Sequence, residues 1–147
     1  GKVHEYIKED KPDLVFIDGV GVGGGVVDRV KQLVDKKLIR ETNVGQKAIN
    51  DKKYFNRRAE IWGNMRDAIR EGIELPNDPE LERALTGVQY GFDAKNRIQL
   101  ERKKDMKARG EASPDEADAL AMTWWEEVIK ENKPKPEPVP IPQTCWA

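Results

Sequence analysis

The sequence predicts an α/β fold, with a mostly parallel sheet flanked by helices and an additional β-hairpin. A continuous apolar run at residues 14–17 is typical of a parallel strand that is buried on both faces. A glycine-rich turn leads from it into residues 26–34, whose apolar positions have helical spacing, and residues 38–44 then resemble a second strand. A strand, a helix and a strand in this order imply two parallel strands of one sheet.

Local signals predict the helices around this unit. Residues 3–9 form a short amphipathic segment that ends before a proline. Residues 56–71 place their apolar side chains on one helical face, and Gly72 stands where that helix would end. A short helix follows, with Asp78 as its N-cap and a proline in its first turn.

A hairpin and a last helix complete the predicted domain. Residues 88–92 and 97–100 have the composition of strands and flank a polar turn. The last helix is expected to begin with Ser113 as the N-cap of a capping box and to run to about residue 131. Alternating prolines in residues 132–147 predict an extended or disordered tail. The sequence therefore predicts one domain, residues 1–131, followed by this tail.

The composition excludes several classes of protein. Among 147 residues, 26 Lys plus Arg oppose 27 Asp plus Glu, so the formal net charge is −1 and no global positive field attracts nucleic acid. A single cysteine excludes an internal disulfide and a cysteine-based zinc site. No apolar run approaches the roughly 20 residues of a membrane span, and the first residues do not resemble a signal peptide. We therefore expect a soluble, cytosolic protein.

The glycine-rich turn after the first strand is compatible with two different chemistries. Gly19, Gly21 and Gly24 have the spacing of a dinucleotide-binding turn, and Glu41 lies where an acid that binds ribose would be. Asp18, however, places at the end of the strand a carboxylate that would repel a pyrophosphate, and its hard oxygens suit Mg²⁺ or Mn²⁺. A plain turn between strand and helix is the third interpretation. This segment alone leaves all three open.

A second acidic segment favours the metal. Asp118 lies one turn into the last predicted helix, where small apolar neighbours would let the helix approach a sheet closely. Metal-assisted hydrolysis of phosphodiesters needs carboxylates from separate elements around one or two ions, whereas a dinucleotide fold has no use for this acid. The electrostatic preference for acids at a helix start accounts well for Asp115 and Glu116, and less well for Asp118.

Three motifs, in this order, resemble a known family. They are Phe-Ile-Asp-x-x-Gly-Val-Gly-x-Gly-Val-Val-Asp-Arg at 16–29, Phe-Asn-Arg-Arg-Ala-Glu-x-Trp at 55–62, and Ser-Pro-Asp-x-Ala-Asp-Ala at 113–119. Together they look like the C-terminal nuclease domain of the terminase large subunit, the DNA-packaging motor of tailed bacteriophages. The resemblance covers about residues 14–124.

The resemblance implies an RNase H-like fold and an endonuclease that cuts concatemeric double-stranded DNA at a two-metal acidic site. Asp18 and Asp118 match the family's carboxylates and are the candidate catalytic residues, and with Asp115 they are the candidate ligands for Mg²⁺ or Mn²⁺. The implied partners are double-stranded DNA, the portal protein, the terminase ATPase domain and the small subunit, in the host cytoplasm. No role is assigned to Arg57 or Arg58, which could equally face solvent.

The chain departs from the family pattern at its start. Family members supply a first carboxylate from a strand that precedes the Asp18 strand, and only 17 residues precede Asp18 here. We therefore expect an N-terminally incomplete domain with weakened metal affinity, whose activity the sequence leaves open. Two alternatives remain: a Rossmann-type nucleotide-binding module and a non-enzymatic interaction fragment.

A local basic segment is concealed by the neutral total charge. Between residues 95 and 109, seven basic residues oppose two acids, which could place positive charge along DNA phosphates. A solvated strand and loop is an equally good interpretation. The candidate DNA-binding residues are Lys95, Arg97, Arg102, Lys103, Lys104 and Lys107.

Overall fold

Six α-helices and four short strands form the part of the chain that the structure describes. The structure is a computed structural model, and it describes residues 2–21 and 23–128. The predicted tail, residues 132–147, lies outside the described residues. The elements are α1 (Lys2–Asp10), β1 (Val15–Asp18), α2 (Gly23–Leu33), β2 (Ile39–Thr42), α3 (Arg57–Arg70), α4 (Pro79–Gly87), β3 (Tyr90–Phe92), β4 (Ile98–Leu100), α5 (Lys103–Ala108) and α6 (Asp115–Met122).

The predicted strand, helix and strand form a parallel pair. β1 and β2 run side by side, with Val15 opposite Ile39 and Asp18 opposite Thr42. Helices α1 and α2 cover this pair through a small apolar core that includes Ile7 and Val27. Because Asp18 is the last residue of β1, its side chain stands at the carboxyl end of the sheet, the edge where parallel α/β sheets place ligands.

The predicted hairpin is also present. β3 pairs with β4 in antiparallel register, with Tyr90 opposite Leu100. The Asp93 carboxylate accepts hydrogen bonds from the backbone N–H groups of Lys95 and Arg97, each at 2.9 Å, and so closes the turn. On the other side of β4, Ile98 forms an isolated parallel bridge to Tyr54, which connects the hairpin to the loop before α3.

A second core joins α3 to α6. Ile61, Trp62 and Met65 of α3 pack against Ala117 and Ala121 of α6, and all five are buried. The two alanines are small, so α6 can lie close to α3. Since Asp118 follows Ala117 directly, this close packing carries its carboxylate towards α3.

The start of α3 is fixed by polar side chains. The Asn56 side chain accepts a hydrogen bond from the N–H of Ala59 at 3.0 Å and caps the helix. Glu60 is buried and accepts from Arg57 at 2.6 Å and from the N–H groups of Ile49 and Asn50 at 2.8 Å each. Burial by itself raises the pKa of Glu60, but these hydrogen bonds outweigh it and hold the pKa below its ordinary value.

Arg57 does not face solvent, so the expectation that it could do so is wrong. Its side chain is buried, donates to the backbone carbonyl of Trp125 and lies over the Trp125 ring, 4.7 Å from the ring centroid. The Arg57–Glu60 pair therefore holds the loop before α3 and the distant chain after α6 against the start of α3.

The last helix differs from the prediction at both ends. It begins at Asp115, and its N-cap position is occupied by Pro114, which is fully buried and offers no side-chain cap. The Ser113 hydroxyl donates instead to the Asp115 carboxylate at 2.8 Å. The helix ends at Met122, where backbone hydrogen bonds from Thr123 and Trp124 to carbonyls three residues earlier tighten the chain into turns.

Helix α5 was not predicted. It lies within the basic segment that the sequence suggested to be strand and loop, and its six residues contain one large apolar side chain, Met106, which is buried. One apolar residue in a run of charges produces no helical periodicity, so tertiary packing of Met106 selects the helix here.

We expect Glu60→Gln to destabilise the fold by about 3 kcal/mol at pH 7, because it leaves the buried Arg57 guanidinium without a counter-charge. The folded-state pKa of Glu60 lies below its ordinary value of 4.5, so the contribution of the ion pair is present above that value and is lost as the pH falls through the folded-state pKa. The difference in the free energy of unfolding between Glu60→Gln and the wild type should therefore be smaller at pH 4 than at pH 7. Urea denaturation of both proteins at pH 4 and pH 7 measures these free energies of unfolding.

The exposed Glu74→Gln provides the matched control. It should change stability by less than about 0.5 kcal/mol at either pH. An equally small effect of Glu60→Gln would show that the buried pair does not hold the loop.

Candidate active site

The three predicted metal ligands meet at one cavity. Asp18 comes from the end of β1, whereas Asp115 and Asp118 come from the first turn of α6, and all three line a cavity of about 250 Å³. Carboxylates 97 to 100 positions apart in the sequence are thus brought to one place. The remaining lining residues are Val44, Arg58, Ile61, Lys103, Ala119 and Met122.

Asp18 is positioned by the turn that follows β1. Its carboxylate accepts a hydrogen bond from the N–H of Val20 at 3.2 Å, and the N–H of Gly19 donates to the carbonyl of Thr42 at 2.9 Å. Gly19 leaves room for the Glu41 side chain, which a Cβ at position 19 would displace. The chain therefore stays beside β2 for one more residue while Asp18 lines the cavity.

The same turn does not favour a nucleotide site. The Glu41 carboxylate lies against Gly19 and pairs with Lys31 at 3.4 Å. Its negative charge therefore lies beside the glycine turn and is not positioned to bind a ribose. With Asp18 it places two carboxylates next to the glycines, where a pyrophosphate would have to bind. The Rossmann-type interpretation is not supported.

Asp118 is held by three donors. Arg58 donates through Nε to Oδ1 at 2.9 Å and through Nη2 to Oδ2 at 3.3 Å. The indole N–H of Trp62 donates to Oδ1 at 2.9 Å, and the Lys103 ammonium lies 3.1 Å from Oδ2. With 19% of its side chain exposed, Asp118 is half-buried and loses much of its hydration, which these donors replace.

Arg58, like Arg57, does not face solvent. Only 14% of its side chain is exposed, and it also donates to the carbonyl of Glu101 at 3.0 Å. Arg58 and Trp62 are four residues apart on α3 and therefore present both donors on the same face of the helix. The motif at 55–62 is thus divided between two tasks: Arg57 and Glu60 secure the fold, whereas Arg58 and Trp62 orient a candidate metal ligand.

Lys103 bridges the two carboxylates of α6. Its ammonium lies 2.7 Å from Asp115 and 3.1 Å from Asp118. Burial by itself lowers the pKa of Lys103, but the hydrogen bonds to both acids outweigh it and raise the pKa above its ordinary value. The hydrogen bond from Lys103, followed by that from Ser113, holds the pKa of Asp115 below its ordinary value. Lys103 was predicted to contact DNA, and it lies at the acidic cavity.

The donor set suits a hard divalent cation, although the carboxylates are not gathered around one point. In the part of the chain that the structure describes, no three His, Cys, Asp or Glu side chains stand close enough together to hold a metal ion. The space between Asp115 and Asp118 is bridged by the positive charge of Lys103. Carboxylate oxygens are the ligands that Mg²⁺ and Mn²⁺ prefer, so the chemistry of these residues fits such an ion, whereas their positions would require Lys103 to leave and the carboxylates to move closer together.

The other predicted DNA-binding residues are divided between two surfaces. Arg97 pairs with Asp93 at 2.6 Å within the hairpin turn, and Arg102 pairs with Asp105 at 2.7 Å beside α5, so both charges are locally compensated. Lys95, Lys104 and Lys107 are exposed and have no ion pair among the described residues. Lys104 and Lys107 lie on the same short helix as Lys103, and Lys107 also lowers the pKa of Asp115 through its charge.

Of the comparisons with known proteins, only the comparison with solved structures gives a match. No protein-family model matches the chain, and no curated protein matches it. The nuclease domain of the large terminase subunit gp2 of bacterial virus Sf6 matches with a TM-score of 0.68 and 22% identity, over 82% of this chain and 68% of that one. The chain has the fold of a terminase nuclease domain.

Two further structures of the same viral domain agree with this assignment. A single-residue variant with manganese and β-thujaplicinol has a TM-score of 0.68 at 22% identity, and the variant with calcium has a TM-score of 0.64 at 23% identity. Each match covers 82% of this chain and 68% of that one. The terminase nuclease fold confirms the predicted α/β, RNase H-like class.

Three residues acquire a place in the site that the sequence did not assign. Arg58, Trp62 and Lys103 all contact Asp118, but they come from two other helices. The four-residue spacing of Arg58 and Trp62 could have indicated that these two side chains share one face of the predicted helix. For Lys103 no signal existed, since α5 itself was not predicted.

We expect a double-mutant cycle between Trp62→Phe and Asp118→Ala to show a coupling energy of about 1 kcal/mol. Phenylalanine keeps most of the apolar contact of Trp62 and removes only the indole N–H, so the effect of Trp62→Phe should shrink once its acceptor is absent. Chemical denaturation of the wild type, both single variants and the double variant provides the measurement. Fully additive effects would show that the hydrogen bond is not stabilising.

Proposed function

We propose that this chain is the metal-dependent nuclease domain of a terminase-type protein and hydrolyses phosphodiester bonds of double-stranded DNA. One observation carries the proposal: Asp18 at the end of β1 and Asp118 on α6 line the same cavity, in a chain with the terminase nuclease fold. Asp115 lines that cavity as a third carboxylate. The solved structures of that fold with manganese or calcium support a divalent cation as cofactor.

Side chains of this chain would hold the cation and orient its carboxylate ligands. Asp18, Asp118 and Asp115 would hold Mg²⁺ or Mn²⁺, which when bound activates water and stabilises the leaving oxyanion. Arg58 and Trp62 fix the carboxylate of Asp118, so that its oxygens are already oriented before a cation arrives. The N–H of Val20 does the same for Asp18. Lys103 places one positive charge between the two acids of α6, and a bound cation would have to displace it.

DNA would approach along α5 and the hairpin. Lys104 and Lys107 of α5 and Lys95 of the hairpin turn are exposed cations that can contact phosphates without reading bases. Lys103, Arg102 and Arg97 would join them only by leaving their present carboxylate partners. Such binding should weaken steeply with rising salt, because each phosphate contact releases counterions.

We further propose the setting of a packaging terminase. The domain would span residues 1–131 and cut concatemeric DNA in the host cytoplasm. The terminase ATPase domain, the small subunit and the portal protein are its proposed partners. Among the described residues, no helix combines the length and apolar character needed to cross a membrane.

We expect plasmid nicking in Mg²⁺ or Mn²⁺ to fall at least about 100-fold in Asp118→Asn and in Asp18→Asn, because each change removes a charged ligand. Asp51→Asn is the matched control: Asp51 pairs with Lys47 at 2.6 Å away from the cavity, so nicking should be unchanged. Agarose gels of supercoiled plasmid provide the assay, with EDTA as the blank.

Absence of metal-dependent nicking in a folded wild-type chain would contradict the proposal. A thermal shift with Mn²⁺ would then separate the two remaining interpretations. A shift that Asp118→Asn abolishes would leave a metal site without catalysis, whereas no shift would favour a non-enzymatic interaction fragment.

Lys103→Ala should bind Mn²⁺ about tenfold more tightly than wild type. The change removes the positive charge that competes for Asp115 and Asp118, and it makes the site more negative. Isothermal titration calorimetry measures the affinity, and Lys104→Ala, one residue further along α5, controls for a general loss of positive charge. Equal affinities in wild type and Lys103→Ala would show that Lys103 does not occupy the cation's place.

A further inference from the structure

A second cavity lies between α3, α4 and the hairpin, and Trp62, whose indole N–H donates to Asp118, forms part of its wall. Its volume is about 350 Å³, and its walls are mainly apolar, with Met65 and Ile69 of α3, Leu85 and Val88 near the end of α4, and Leu100 of β4. A cavity of this size falls at the lower end of the range for ligand sites and can accept one large apolar side chain.

The strand beside this cavity has an unusually apolar exposed face. Tyr90, which also lines the cavity, is 65% exposed and Phe92 is 62% exposed, and their rings meet edge to face with centroids 6.1 Å apart. Among the described residues β3 pairs only with β4, so the backbone N–H and C=O groups along its other edge have no strand to pair with. A free edge with exposed aromatics is the arrangement that extended peptides bind.

Positive charge surrounds the same cavity. Arg66 and Arg70 of α3 line it and are exposed, and Lys53 lies 4.9 Å from the centroid of the Tyr54 ring, which forms part of the wall. Asp67, which accepts from Arg66 at 2.7 Å, offsets only one of these three charges. The cavity is therefore apolar inside and positive at its rim.

We infer that this face binds an extended, acidic segment of a partner protein. The segment lies along the free edge of β3, inserts one aliphatic or aromatic side chain into the cavity between α3 and α4, and places its carboxylates near Arg66 and Arg70. A small organic anion would fill the cavity but leave Tyr90 and Phe92 uncovered. DNA would match the charge but not the apolar walls. The inference is independent of the nuclease proposal, because none of these groups is a candidate catalytic residue.

The test uses a library of displayed ten-residue peptides, selected on the full chain. We expect enriched peptides to carry acidic residues around a large apolar residue. Added as synthetic peptides to ¹⁵N-labelled protein, they should shift the indole N–H signal of Trp62 and the amide signals of β3. Affinity should fall at least about tenfold in Arg70→Glu and in Phe92→Ser, whose side chains are both exposed. Lys36→Glu, an exposed lysine before β2, is the control and should leave affinity unchanged.

Three outcomes would overturn the inference. The first is a selection without enrichment, or one whose peptides bind the two variants as well as wild type. The second is octanoate alone binding as tightly as the peptides and producing the same shift of Trp62, which would assign the cavity to a small amphiphile. The third is a short DNA duplex producing the shifts of β3 in competition with the peptides, which would assign the face to nucleic acid.

Discussion

The position of Asp118 is the constraint on which the candidate active site depends. A half-buried carboxylate must be compensated, and Arg58, Trp62 and Lys103 compensate it from α3 and α5. These polar contacts add to the apolar core that α3 and α6 already share, and they connect α5 to both helices beside the cavity. Asp18, which belongs to the small β1–β2 unit, completes that cavity from the other side.

The same compensation opposes the binding of a metal. Lys103 stabilises the acids of α6 in the absence of a cation, and a divalent ion has to replace that stabilisation before it gains any affinity. Arg58 differs from Lys103 in this respect, because it binds Asp118 with two nitrogens and also donates to a backbone carbonyl, which fixes it within the fold. Arg58 therefore suits a permanent positioning role, and Lys103 suits an exchangeable one.

Helix α3 serves the fold and the site with different residues of one motif. Arg57 and Glu60 bind inward to the loop before the helix and to the chain after α6, while Arg58 and Trp62 turn towards Asp118. Trp62 also lines the apolar cavity beside the hairpin, while its indole N–H donates to Asp118. Its side chain therefore contacts both the candidate active site and the proposed peptide-binding face.

Local patterns in the sequence were sufficient for the strand–helix–strand unit and for the hairpin, because hydrophobic periodicity and turn residues report on near neighbours. They also indicated Asp18 and Asp118, which line one cavity and whose role as metal ligands stays a prediction. They were not sufficient for α5, whose single buried residue, Met106, leaves no periodic signal, nor for the start of α6, where burial of Pro114 displaced the expected cap. Nor could they show that Arg58 and Lys103 contact Asp118. Those contacts join residues up to 60 positions apart, and only the packing of α3, α5 and α6 decides which charges meet.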